Sequence, residues 1–403
     1  MWTKEYKTLL AESSVSIFGD AFFYICFVAY LSSFPKADVL ISIWTVINQL
    51  PNFIRIFSGV YADKINNKYR AIMVCNIVRF VCFLSVAGLI LLNKDNLIYF
   101  IIFIVFLSEI VGTVARKTIL PFFKYSVPKN ELQVAQGINN GSAQAIQIIG
   151  AGIGSSLIGF ISLFYISLLN ALTFAIAWFI FINIKKRLVQ IQAAKIIVQT
   201  NKSINFFKKI PQAYMYLKSN YKRFLVVHMS LLNGVSNAFV AMFLVLLTQN
   251  KSLEIINYQF TAASIYISFM LGNVLGSVAL VRKFKNMPII FLLKLCEFLS
   301  ILLLLVVLLS QTIIVIIILF FYGVLGGIVS AKIFAEFILN VPTKLVSSFM
   351  GLVETISLSL APILTFIFNS LAIIYHGNTS IISLLILSTI TLLYTILFSG
   401  KYA

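Results

Sequence analysis

Acidic side chains and histidines are scarce in this sequence. Twelve Asp and Glu residues and two histidines, His228 and His376, are spread over 403 positions. That poverty argues against a histidine-rich metal site. The four cysteines, Cys26, Cys75, Cys82 and Cys296, show no metal-ligand spacing and read as small apolar fillers. No Gly-x-x-x-x-Gly-Lys-(Ser/Thr) loop is present to cradle nucleotide phosphates, so energy from ATP would have to come through another subunit. Few histidines and no nucleophile–base spacing leave little support for a membrane-embedded enzyme acting on lipid. Cofactor and metal expectations are therefore both none. Charged residues make up only 11% of the chain, too little to clothe a soluble domain of this size.

Long apolar runs take their place. Hydrophobic residues account for 60% of the chain, and mean hydropathy is +1.00. Runs long enough to cross about 30 Å of hydrocarbon recur twelve times, at roughly 12–31, 38–61, 70–92, 96–116, 131–160, 163–183, 224–247, 258–281, 288–309, 312–332, 345–370 and 379–399. Continuous apolarity excludes an outer-membrane β-barrel, whose strands alternate. The first run follows Lys4 and Lys7 without a small-x-small cleavage site and is expected to be retained. The expected fold class is an all-α membrane protein of twelve transmembrane helices in two six-helix bundles.

The formal net charge of +19 is distributed as a topology signal. With the amino terminus in the cytoplasm, 25 of 31 Lys and Arg residues fall on that side, and only Lys36, Lys94 and Lys251 fall outside. Arg55, Arg79 and Lys294 lie within runs. This asymmetry follows the positive-inside rule, places both termini in the cytoplasm, and removes nucleic acid as the explanation of the charge. The expected surroundings are a lipid bilayer, with the bacterial plasma membrane as the site.

Between Lys185 and Arg223 stand ten bases and no acid. This stretch separates six runs from six, giving an amino-terminal bundle over 1–184, a basic cytoplasmic linker over 185–223 and a carboxy-terminal bundle over 224–403. The halves echo one another. Val127-Pro128 matches Val341-Pro342, and Gly137 matches Gly351, both at an offset of 214. Gly59-x-x-x-Asp63 has a degenerate partner in Gly276-x-x-x-Leu280, where the acid is lost. Duplicated six-helix halves imply a pseudo-two-fold axis along the membrane normal and a site near the midplane where the halves meet.

The segment Gly59-Val60-Tyr61-Ala62-Asp63-Lys64-Ile65-Asn66-Asn67-Lys68 fits Gly-x-x-x-Asp-(Arg/Lys)-x-x-x-(Lys/Arg). A carboxylate at the end of a membrane span is costly without a partner. In this place the pattern resembles the signature loop of the major facilitator superfamily. Leu120-Pro121, Val127-Pro128-Lys129-Asn130-Glu131-Leu132, Ala135-Gln136-Gly137, Ile149-Gly150 and Asn170-Ala171 extend the resemblance to the macrolide-efflux branch and its siderophore-exporting relatives. That branch typically has Gly-Pro-x-x-Gly-Gly at the fifth span. Here the sequence is Gly150-Ala151-Gly152-Ile153-Gly154-Ser155, without the proline and one glycine.

Several residues are candidates for work. Asp63, with Gly59, Lys64 and Lys68, forms a conformational latch in which the acid binds a helix amino terminus or Arg116 in one state and releases it in the other; the resemblance implies this role. Asp20 follows Gly19, about 12 Å into the first span at 1.5 Å per residue, and Glu109 lies two turns before Arg116. Each acid is a proton or substrate group, or else pairs with Arg55 or Arg79. On the fifth span Gln133, Gln136, Asn140, Gln144 and Gln147 share one face, as either a cavity wall or interhelical glue. Asn140 maps onto Glu354, which makes Glu354 a further coupling candidate among Ser347, Gly351, Ser357 and Ala361. Lys294 and Glu297, three apart, are expected to form an ion pair on the ninth span. Gly150, Gly154, Gly272 and Gly276 have the spacing of close helix packing.

The resemblance implies a monomeric secondary transporter exporting an amphiphilic small molecule by proton antiport, with macrolides, other drugs or siderophores as the substrate class. Two alternatives stand beside it: a binding-only immunity or sensor protein on a transporter fold, permitted by the altered fifth-span motif, and the weakly supported lipid enzyme.

Overall fold

The computed structural model describes residues 3–31, 33–34, 37–92, 95–157, 160–195, 206–256, 258–375 and 377–399. His376, Lys36, Lys94, Lys202 and Lys401 lie outside them. Fifteen α-helices follow one another: α1 (Lys4–Leu31), α2 (Ala37–Phe53), α3 (Arg55–Lys64), α4 (Lys68–Leu91), α5 (Ile98–Ser126), α6 (Leu132–Leu157), α7 (Leu163–Ile182), α8 (Lys185–Lys195), α9 (Phe206–Met215), α10 (Asn220–Gln249), α11 (Tyr258–Leu275), α12 (Ile289–Leu308), α13 (Thr312–Asn340), α14 (Val346–Ile374) and α15 (Gly377–Ser399). Among the described residues there is no strand.

Among the described residues, ten helical segments are long and apolar enough to cross a membrane. The protein is an integral, multi-pass membrane protein. Two of the twelve expected spans fall outside that ten. Over 38–61 the chain breaks between α2, of 17 residues, and α3, of 10. Pro51 withholds one backbone donor inside α2, and Ile54 leaves helical geometry at φ −102°, ψ 7°. Over 131–160 lies α6, which carries the amide stripe. Large side chains such as Phe100, Phe366 and Leu397 stand on the helix exteriors at 64–76% exposure, as lipid-facing positions do when backbone polar groups are satisfied within helices.

The internal repeat extends to element boundaries. The short 3-10 turns Lys129–Glu131 and Thr343–Leu345, and the starts of α6 at Leu132 and α14 at Val346, are 214 residues apart. So are the ends of α5 and α13. Two compact units result. One comprises Met1–Lys129, Ala143–Met215 and Ile338–Glu354; the other comprises Asn130–Ser142, Tyr216–Phe337 and Thr355–Ala403. The start of α14 thus packs with first-half helices, and the start of α6 with second-half helices.

In the first unit an aromatic core locks α1, α2, α4 and α7 together. Phe23 meets Phe83 edge-on at 4.8 Å, Phe27 meets Trp44 at 4.9 Å, and Phe83 stacks on Phe174 at 5.6 Å. Such pairs add stabilisation beyond their buried area. The helix α8, inside the expected basic linker, docks onto this unit. Leu188 is buried with Leu9, Tyr69 and Phe122, Arg187 pairs with Glu5 at 2.6 Å, and Gln192 donates to the Asn66 carbonyl at 2.9 Å.

The small residues act through close approach. A Cβ on Gly150 would meet the Phe18 carbonyl at 3.0 Å, and one on Gly154 the Phe22 carbonyl at 3.0 Å. Gly272 and Gly276 lie directly against the carbonyls of Phe320 and Val324, so α11 and α13 touch backbone to backbone.

Candidate functional site

The first unit contains two adjoining polar clusters. Arg79, on α4, is 2% exposed and organises the first. Its Nη2 donates to both carboxylate oxygens of Asp20 at 2.8 Å, its Nη1 to Ser16 Oγ at 2.9 Å, and its Nε to Ser108 Oγ at 3.2 Å. The guanidinium carbon stands 4.0 Å from the centre of the Phe174 ring, a cation–π contact. Gly112 makes room for it: a Cβ there would lie 3.0 Å from that carbon. Glu109 Oε1 approaches Arg79 Nη2 at 3.6 Å, and Glu109 Oε2 approaches Arg116 Nη2 at 3.7 Å. Two acids therefore share one buried guanidinium, with Arg116 as a second, more exposed cation. Two turns before Asp20, buried Glu12 accepts from Asn76 Nδ2 at 3.0 Å.

The second cluster centres on Glu354, 18% exposed, in the part of α14 that belongs to this unit. Arg55 Nη1 donates to it at 2.8 Å, and Lys117, on α5, forms a close ion pair with its other oxygen. Asn52 Oδ1 holds Arg55 through its Nε at 3.1 Å and its Nη2 at 2.8 Å. The helix break at Ile54 sets Arg55 at the head of α3, where it reaches both partners.

Beside this cluster α3 crosses the first turn of α14. Asp63 Oδ1 accepts from the Ser347 backbone N–H at 3.2 Å; its Oδ2 accepts from the Ser348 N–H at 2.7 Å and the Ser348 hydroxyl at 2.6 Å. These are orphan donors of a helix start, where the helix dipole favours an anion. Glycine makes the approach possible. A Cβ on Gly59 would overlap the Ser347 carbonyl, and one on Gly351 would press on the Arg55 carbonyl. At the far end of the loop, buried Lys68 donates from Nζ to the Ala62 carbonyl at 2.7 Å, capping α3. Lys64 is exposed, and Asn67 caps α4 by accepting from the Arg70 N–H at 2.9 Å.

Asp20 and Glu109 share Arg79, and Glu354 is held by Arg55 and Lys117. Arg116 lies at Glu109 and not at Asp63, so the helix amino terminus, of the two expected latch partners, is the one engaged. On α6, Asn140 accepts from Gln136 Nε2 at 3.0 Å, Gln144 is half-buried, and Gln147 is exposed. The ion pair expected between Lys294 and Glu297 does not form. Glu297 turns instead to Thr395 at 2.9 Å and His228 at 3.4 Å, because these reach it from neighbouring helices within the core of the second unit. Sequence reasoning missed Lys117, Ser348, Glu12 with Asn76, Ser16, Ser108 and Gln192. Of these, only the paired serines at the start of α14 carried a signal, as first-turn donors of a helix.

In the second unit the start of α6 makes the matching crossing. A Cβ on Gly137 would overlap the Ser277 carbonyl, in a π-helical turn over Gly276–Leu280. Leu280 occupies the place of the acid. Arg282 pairs with Glu131 at 2.9 Å, and Lys285 donates to the Asn130 carbonyl.

Comparison with curated protein sequences returned no match. Solved structures share the fold at low identity. A bacterial homologue of the iron transporter ferroportin, in an outward-facing state, gives a TM-score of 0.70 at 13% identity, covering 97% of this chain and 98% of that one. The human organic anion transporter MFSD10 gives 0.65 at 11% identity, with 97% and 99% covered. The E. coli fucose:proton symporter FucP gives 0.66 at 15% identity, with 98% and 99% covered. A sequence model of the Major Facilitator Superfamily matches residues 13–366. With its signature loop seated on a helix start, its repeated halves and its membrane-spanning helices, this chain belongs to the Major Facilitator Superfamily.

Proposed function

We propose that this protein is a secondary transporter that exports an amphiphilic small molecule in exchange for protons, by alternating access, as in the macrolide-efflux and siderophore-exporter branch it resembles. The observation that carries the proposal is the pair of acids, Asp20 and Glu109, competing for the single buried guanidinium of Arg79. A proton taken by either acid shifts Arg79 wholly to the other, which gives a route from protonation to rearrangement. Glu354, between Arg55 and Lys117, is the second coupling candidate. Asp63 with Gly59, Lys64 and Lys68 is the latch that holds one access state, and Asn140, Gln144 and Gln147 offer hydrogen bonds to substrate. The basic loops support cytoplasmic termini in a bacterial plasma membrane, with 1–184 and 224–403 as the two working halves joined by 185–223. A monomer is the working unit by analogy with the fold.

Transport in proteoliposomes with an imposed pH gradient tests the assignment, using a macrolide and a lipophilic dye as probes. Wild type is expected to show gradient-driven flux that Asp20→Asn and Glu354→Gln each abolish. Full gradient-driven flux in both variants would sink the coupling assignment. Binding without flux in wild type would favour the binding-only alternative.

A further inference from the structure

The second unit buries a histidine and a glutamate that the transport proposal does not use. His228, on α10, is 0% exposed, and Glu297, at the middle of α12, is 2% exposed. Thr395, on α15, stands between them. Its hydroxyl oxygen is 2.7 Å from His228 Nε2 and 2.9 Å from Glu297 Oε1, while Nε2 and Oε1 are 3.4 Å apart. His228 Nδ1 lies 2.8 Å from the Phe224 carbonyl oxygen.

The proton count and the surroundings of Glu297 Oε2 together decide the state of this cluster. The Phe224 oxygen can only accept, so Nδ1 carries a proton. A neutral ring then leaves Nε2 as an acceptor, facing the Thr395 hydroxyl. That hydroxyl has one proton, and Nε2, Glu297 Oε1 and the Thr391 carbonyl at 2.9 Å all face it. With a neutral ring and an ionised Glu297, acceptors outnumber donors; a doubly protonated ring would restore the count but leave the anion on Glu297. Glu297 Oε2, moreover, is buried with no hydrogen-bond partner among the described residues, a costly place for anionic charge. The other ionisable groups packed around the pair are Lys294 and Cys296 on α12, Tyr322 on α13 and Tyr394 on α15. None of them donates a hydrogen bond to Glu297 Oε2.

We infer that Glu297 is a proton-binding site, holding a resident proton at neutral pH in a one-way chain from Glu297 Oε1 to Thr395 Oγ1 to His228 Nε2, ended by His228 Nδ1 on the Phe224 carbonyl. Every donor in that chain has one acceptor, and no net charge is buried. The site stands on helices other than those bearing Asp20 and Glu354, so it is independent of the coupling assignment.

The test uses the full chain in nanodiscs with ¹⁵N-histidine, in a His376→Asn background that leaves His228 as the only imidazole. The expected spectrum is a neutral ring protonated at Nδ1 throughout about pH 5 to 8. Infrared spectra of the same sample should contain a protonated-carboxyl band that shifts with ¹³C-glutamate and is lost in Glu297→Gln. A doubly protonated His228, or a neutral His228 beside an ionised Glu297, overturns the inference. Thr395→Val gives a second check: removing the middle link should move the His228 Nε2 resonance, and an unmoved resonance would equally overturn it.

Discussion

The first turn of α14 meets α3 in one unit, and the first turn of α6 meets the π turn Gly276–Leu280 in the other. Both crossings are built on glycine and a carbonyl: Gly59 with Ser347 in the first, Gly137 with Ser277 in the second. Their electrostatics differ. In the first, a carboxylate caps three donors of the helix start, and an ion-paired glutamate lies two turns further along α14. In the second, Leu280 offers no acceptor, Asn140 replaces Glu354, and attraction is left to Arg282 and Lys285 at the rim. Duplication kept the steric joint in both places and the charge in one. Glycine is required wherever two backbones touch, whereas the acid is present at one crossing only.

The largest expected effect breaks what the crossings share. Gly59→Val and Gly137→Val each force a side chain into a backbone carbonyl, and each should cost about 3 kcal/mol or more. Fluorescence-detected size-exclusion chromatography after heating should show both losing folded protein at lower temperature; a normal melting profile for Gly137→Val would deny that the joints are equivalent. Next comes the charge found on one side only. Glu354→Gln leaves Arg55 and Lys117 without a carboxylate and should destabilise by about 3 kcal/mol, against about 1 kcal/mol for its repeat counterpart Asn140→Ala. Equal shifts in unfolding temperature would erase the asymmetry.

Asp63→Ala removes an ionised acceptor and should cost about 2 kcal/mol, while Asp63→Asn should leave membrane insertion intact and change transport kinetics. Leu280→Asn, in the other crossing, should leave transport as it was. Identical kinetics for wild type and Asp63→Asn would reduce the loop to ancestry. The smallest effect is expected at the rim. Arg282→Ala breaks a pair whose partners are 67% and 32% exposed, for less than about 1 kcal/mol, and 1 M salt should mask it.

Most of the spans were legible because a hydrocarbon slab imposes length and apolarity on each segment, and the starts of α6 and α14 keep the 214-residue offset seen in the sequence. Asp63 stood out because an acid at that depth needs a partner. Its partner was less legible: Ser347 and Ser348 are ordinary first-turn residues until a fold brings α3 against them. Lys117 was hidden among four bases near the end of α5 and read as topology. Glu297 shows the opposite failure. Lys294 is the nearest base in sequence, but neighbours on one helix face lose to side chains arriving from other helices when the helix is buried on that side. The break at Ile54, three residues after Pro51, interrupts what the sequence reads as one span over 38–61, and nothing local announces the π turn.

Arg79 donates from Nε, Nη1 and Nη2 and has one face covered by Phe174. A side chain pinned in so many directions is a fixed post. In the proposed cycle, rearrangement in its neighbourhood falls to α1, which carries Asp20, and to α5, which carries Glu109. Each is tethered to the same point by a carboxylate and by a serine, Asp20 with Ser16 on α1 and Glu109 with Ser108 on α5. Under the proposed coupling the cluster is a mooring with a pair of lines to each helix, and protonation slackens one line of a pair while the serine line stays fast.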